Sequence, residues 1–198
     1  HFPEIEVKVL ARAADKFEAQ ALCERATNDV RSRLEDVIYG EGDDTFAAVV
    51  GRAMRSKGLT LAIAESCTGG LVGAMLTREP GASEYLVLDA VTYANSAKTK
   101  ILGVGEDVIR GHGAVSSEVA AAMAEGVRRV AGSDLALALT GIAGPSGGSD
   151  AKPVGTVFVA LAKKDGTVVR HKKLGGDRIQ IQTLASYVAL NLVREFCK

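Results

Sequence analysis

Three largely apolar stretches, LTLAIAES (59–66), YLVLDAVTYA (85–94) and DLALALTG (134–141), show no helical period, and each runs into a polar loop. Short apolar runs of this kind read as buried strands. Helical patterns separate them. TFAAVVGRAMRSKG (45–58) opens on a capping threonine and closes on glycine, and GGLVGAMLTRE (69–79) is stopped by Pro80-Gly81. SAKTKILG (96–103) is a short helix, and the Ala-rich SSEVAAAMAEGVRRVAG (116–132) starts on a Ser-Ser-Glu cap. GTVFVALAKKDGTVVRHKKL (155–174) reads as a hairpin around Asp165-Gly166, and DRIQIQTLASYVALNLVREF (177–196) as a terminal amphipathic helix. Strands alternating with helices and then a hairpin predict an α/β fold, a three-layer-like α/β sandwich with a mixed β-sheet.

The first 42 residues follow another pattern. EIEVKVLAR (4–12) alternates apolar and charged residues, which predicts a half-exposed strand. DKFEAQALCERATNDVRSRLE (15–35) has apolar residues near helical spacing behind an Asp start, and DVIYG (36–40) suits a short second strand. GEGDD (40–44) reads as a linker. The expectation is a small βαβ module over 1–42 and a main domain over 43–198. The chain begins at His1 rather than Met, which reads as a fragment with an upstream domain missing.

Composition excludes several classes. A chain of 198 residues with 47% hydrophobic residues can bury a sizeable core. Its formal net charge of zero carries no global signature of nucleic-acid binding. Residues 1–43 hold 6 basic and 10 acidic residues, and the rest 18 and 14. That leaves a mildly basic main body, suited to a small anion. The three cysteines (Cys23, Cys67, Cys197) form no CxxC pair, and the three histidines (His1, His112, His171) no ligand spacing. No metal is expected. Without a leader or a long apolar run, a reduced cytoplasmic protein with no membrane contact is expected.

The polar loops hold the chemistry, because ligands of open α/β sheets bind outside the strand carboxyl ends. AESCTGG (64–70) offers two nucleophiles, Ser66 and Cys67, before a helix whose free N–H groups suit a phosphate or an oxyanion. Ser66 or Thr68 could equally be an ordinary N-cap, and Cys67 a small core residue. TYANSAK (92–98) supplies Tyr93 and Lys98; a desolvated lysine can act as a general base, and Ser–Lys pairs replace Ser–His–Asp. The third loop, TGIAGPSGGSDAKPVGT (140–156), is rich in glycine and hydroxyls with Lys152 nearby. It suits a phosphate or carboxylate, or is a flexible surface loop.

AESCTGG, VTYANSAKTKILGV, GAVSSEVAAAMAEG and TGIAGPSGGSDAKPVGTV, in this order and spacing, resemble the carboxyl-terminal domain of the CinA (competence/damage-inducible) family, from about Thr45 to the end. The first 42 residues resemble that family's small KH-like module. The resemblance implies a nicotinamide-nucleotide amidase, which hydrolyses the carboxamide of nicotinamide mononucleotide to nicotinic acid mononucleotide and ammonia with no cofactor. It implies Ser66 as nucleophile over Cys67, Lys98 as base, and Tyr93 as support for Lys98 or the amide. It implies Thr68, Gly69 and Gly70 at the oxyanion. Thr140, Gly141, Gly144, Gly147 and Gly148 would hold the ribose phosphate, with Arg178 also binding substrate. A nucleotide substrate and a homo-oligomer are the expected partners; the KH-like segment is acidic and lacks a GXXG loop, so nucleic acid is not.

Two positions depart from the family pattern. Leu88-Asp89 stands where many members carry Arg-Gly, and Gln182 where a second Arg often follows Gly176-Asp177-Arg178. Both remove positive charge, which disfavours an anionic substrate if these side chains face the site. The alternative reading is a non-catalytic nucleotide-binding or regulatory module.

Overall fold

The computed structural model describes residues 2–198; His1 lies outside them. The chain forms two compact units, which divide between Thr45 and Phe46.

The first unit holds helix α1 (Lys16–Leu34), capped by Asp15, whose carboxylate accepts the N–H groups of Phe17 and Glu18. Neither expected strand forms. Residues 4–12 have no regular structure, and 35–37 make a 3₁₀ turn instead of part of a strand. The expected βαβ module is therefore absent. A period-two pattern supplies alternating side chains but not the partner that a strand's N–H and C=O groups need. Ile5 (89% exposed) and Leu10 (85%) lie open to solvent. The helix itself buries no residue.

The second unit begins with α2 (Phe46–Lys57) and continues as β1 (Leu61–Glu65), α3 (Leu71–Thr77), β2 (Leu86–Val91), α4 (Asn95–Leu102), α5 (Glu106–His112) and α6 (Ser117–Ala131). It ends in β3 (Leu135–Gly141), β4 (Thr156–Lys163), β5 (Gly166–Lys173) and α7 (Arg178–Phe196). The strands make one mixed sheet in the order β2-β1-β3-β4-β5. β1 runs parallel to β2 and β3, and β4 and β5 add antiparallel. The expected α/β sandwich forms. Helix α5 was missed by sequence reasoning: GEDVIRGH carries too few apolar residues to show a period.

The apolar strands conceal an alternation between small and large residues. Ala62, Ala136 and Ala162 stand side by side across β1, β3 and β4, as do Ala64, Ala138 and Ala160. These alanines share a core with Val119, Ala120, Met123, Ala124 and Val127 of α6. Small residues on both surfaces let the helix approach closely. Gly126 lets α6 approach its other neighbour, α4, since a Cβ there would collide with the carbonyl oxygen of Leu102. The alternate strand residues, among them Leu61, Ile63, Leu137 and Val159, are fully buried on the opposite face, where α3 and α7 pack. Ser116 caps α6 through the N–H of Val119, as its sequence predicts. No helix among the described residues is long and apolar enough to cross a membrane.

Candidate active site

Ser66 follows β1 directly, and Lys98 sits one turn into α4 after the end of β2. β1 and β2 are parallel neighbours, so both side chains arrive at the same edge of the sheet. Lys98 Nζ lies 3.1 Å from Ser66 Oγ. It also donates to the carbonyls of Thr92 (2.9 Å) and Tyr93 (3.0 Å). Lys98 is 1% exposed, and burial holds its amine below the ordinary lysine value. Its polar contacts among the described residues are two carbonyls and one hydroxyl, with no carboxylate. An ammonium donates one N–H to each of these three oxygens; the neutral amine, which burial favours, keeps two N–H groups on the carbonyls and turns its lone pair to the serine hydroxyl.

Cys67 is buried beside Ser66, and burial pushes its thiol up to about 12. Near neutral pH it is a thiol, which is a poor nucleophile. The capping alternative for Ser66 and Thr68 also fails, because α3 is entered through Gly70 with no side-chain cap from either residue. That role belongs to Glu65. Its Oε2 accepts the N–H of Gly70 and its Oε1 the N–H of Gly73, both at 2.9 Å.

This arrangement corrects the expected oxyanion donors. The N–H of Gly70 is committed to Glu65, and that of Gly69 to the carbonyl of Ser66 (3.2 Å). Thr68 keeps a backbone N–H without an acceptor among the described residues, and its buried Oγ1 is unpartnered. Gly69 and Gly70 serve the turn's shape instead, with φ of 67° and 97°.

The cavity in front of Ser66 has a volume of about 210 Å³. Its lining includes Ser66, Cys67, Tyr93, Asn95, Lys98, Thr140, Gly141 and Arg178. Ala114, Val115 and Ala143 complete it. No carboxylate is among them, and Arg178 supplies a cation, so the cavity favours an anionic ligand. Arg178 donates to the carbonyl of Gly144 (2.8 Å) and toward the Tyr93 hydroxyl (3.4 Å). Tyr93 therefore supports Lys98 with its carbonyl, while its side chain stands 61% exposed at the cavity mouth. Thr140 lines the wall and donates to the carbonyl of Ala114 (2.8 Å). Gly141 lies against Cys67, where a Cβ would come within 3.1 Å of its sulfur.

The rest of the third loop does not reach the cavity. Gly147 and Gly148 are exposed and lie over Ile142 and Val154. Lys152 is spent on the carbonyls of His112 (2.8 Å) and Val115 (2.7 Å), so it holds the 112–115 segment in place. Nor is the loop unattached: Ile142 pairs with Thr156 and Gly155 through backbone bonds of 2.9 and 2.8 Å.

The departures do not place new charge in the cavity. Leu88 packs into the core shared with α6. Asp89 turns toward Gly73, where it would occupy the site of a Cβ. Gln182 donates to the carbonyl of Cys67 (2.7 Å) and so braces the Ser66 turn. Sequence reasoning missed Glu65, Asn95 and the 114–115 wall. A glutamate closing an apolar strand, immediately before Ser66, is the signal that could have marked Glu65.

Residues 43–197 match the CinA C-terminal domain. The chain belongs to the CinA family. A CinA-like protein of Geobacter sulfurreducens is 51% identical over 193 residues, covering 98% of this chain and 47% of its own length. The chain thus spans about half the length of the curated relatives it matches. A crystal structure of a CinA superfamily protein from Klebsiella pneumoniae superposes with a TM-score of 0.75 at 32% identity, over 77% of this chain and 95% of that one. The competence/damage inducible protein CihA of Agrobacterium tumefaciens gives 0.74 at 34% identity, over 80% of this chain and all of its own.

Proposed function

We propose that this chain is an amidohydrolase that cleaves the carboxamide of nicotinamide mononucleotide by a Ser66–Lys98 mechanism. The observation that carries the reading is the buried lysine 3.1 Å from Ser66 Oγ, whose hydrogen bonds go to two carbonyls and this hydroxyl and to no carboxylate that would hold it charged. Membership of the CinA family and a cavity that favours anions support the substrate. Neutral Lys98 takes the Ser66 proton as Oγ bonds to the amide carbon. The oxyanion that forms is stabilised by nearby donors, for which the free N–H of Thr68 is the candidate. The C–N bond then breaks, and Lys98 returns the proton to the departing nitrogen, which leaves as ammonia. Water, deprotonated by Lys98, cleaves the acyl ester and restores Ser66. Arg178, Tyr93 and Asn95 bind the anionic nucleotide at the mouth.

The test is ammonia release from nicotinamide mononucleotide, with Ser66→Ala as control. Turnover in the unmodified chain and its loss in the variant are expected. Equal turnover in both would remove Ser66 from the mechanism. Ligand-induced thermal stabilisation without turnover would favour a binding module.

A further inference from the structure

Glu65, fully buried, and Asp89, half-buried, form a carboxyl pair that the proposed proton transfers do not use. Glu65 is fully buried, one residue before Ser66, and its two oxygens accept the N–H groups of Gly70 and Gly73. One side chain thus spans the whole 66–70 turn and fastens it to the first turn of α3. Asp89 closes the arrangement from β2. It fills the place of a Gly73 Cβ, beside the Glu65 oxygen that accepts the Gly73 N–H, and its own Oδ1 is buried without a hydrogen-bond partner. Two carboxyl groups this close repel when both are ionised and attract only when one carries a proton that the other accepts. Both Glu65 oxygens already accept N–H groups, so the proton belongs on Asp89. Burial, and then the neighbouring Glu65, push Asp89 up to about 7, the direction that retains this proton. The helix against the pair, LVGAMLT, brings it no charge.

We propose that Glu65 is a positioning residue for Ser66, and that protonated Asp89 is the partner that holds it, so that the pair clamps the turn carrying the nucleophile. The inference rests on the reading of Ser66 as nucleophile. It explains why glycine stands at position 73 and where Asp89, a departure from the family pattern, finds a use.

Three readouts on the full chain test it: kcat and KM for ammonia release from nicotinamide mononucleotide, the rate at which a fluorophosphonate labels Ser66, and amide hydrogen exchange at Gly70 and Gly73. Glu65→Gln keeps the shape but turns an NH₂ toward one N–H donor. Its kcat and labelling rate should fall about 10- to 100-fold, the scale on which misplaced reacting groups cost rate, with KM changed less than about threefold. Exchange at Gly70 or Gly73 should quicken at least about tenfold. Asp89→Ala should slow labelling about tenfold, and Asp89→Asn, a neutral donor of similar shape, should rescue it. A folded Glu65→Gln variant with unchanged labelling and exchange would overturn the proposal. So would fast exchange at both glycines in the unmodified chain, a measurement that depends on no variant folding. Equal loss in Asp89→Asn and Asp89→Ala would overturn the placement of the proton. A chain that releases no ammonia, yet shows the expected exchange and labelling, sinks the substrate reading and keeps the clamp.

Discussion

Two glycine-bearing loops follow buried parallel strands in this protein, and they do different work. The turn after β1 spans five residues and surrounds buried polar groups: Glu65, Ser66 and Thr68 are each under 10% exposed, and Lys98 reaches in at 1%. The loop after β3 is longer and richer in glycine, yet Pro145–Asp150 is exposed and its lysine is tied to carbonyls elsewhere. Only its first residues, Thr140, Gly141 and Ala143, line the cavity, and Gly144 lends its carbonyl to Arg178. Glycine density marks where backbone bends or closes. A buried polar side chain is costly unless paired, so its partners indicate where chemistry is built.

The sharpest way to break this contrast is Lys98→Met, which fills the same space without a base. Ammonia release should fall about 10²–10⁴-fold, the usual worth of a general base. The unmodified chain should lose activity as pH falls through the lowered Lys98 value, because protonation removes the lone pair that faces Ser66. A rate that falls at no pH below the ordinary lysine value of 10.5 would remove Lys98 as the base.

Gly141→Ala probes the part of the third loop that does touch the site. The added Cβ would come within 2.8 Å of Val157 and 3.1 Å of the Cys67 sulfur. We expect a loss of about 1–3 kcal/mol in denaturant unfolding, with slower turnover because the displaced sulfur belongs to the Ser66 turn. Gln182→Ala removes the brace on the Cys67 carbonyl. One lost hydrogen bond of this kind is worth about 0.5–1.5 kcal/mol, so kcat should drop by less than about tenfold and KM little. Ser146→Ala, in the exposed arc of the third loop, should leave turnover within about twofold and stability within about 0.5 kcal/mol. A large effect there would mean that the arc binds substrate, and the contrast between the loops would fail.

Much of this was legible beforehand. The five strands and six of the seven α-helices among the described residues follow from apolar period, caps and glycine stops. Ser66, Tyr93, Lys98 and Thr140 could be named from their places in polar loops, and Arg178 only from the family resemblance. What local pattern misjudged was the fate of polar groups. Gly70 offers an N–H that an oxyanion could use, but a glutamate five residues earlier in the chain takes it. Lys152 resembles a phosphate ligand until the 112–115 carbonyls claim it.

By itself, then, the sequence determined the kind of every element in the main domain except α5, and the family to which the chain belongs. Side-chain period and turn chemistry act over a few residues and need no distant partner. Tertiary structure alone decided that residues 4–12 form no strand, that Lys98 meets Ser66 across 32 positions, and that Asp89 lies beneath α3 rather than in the cavity. Those outcomes depend on which groups lose water together and which donor reaches an acceptor first, and only the packed chain settles that competition.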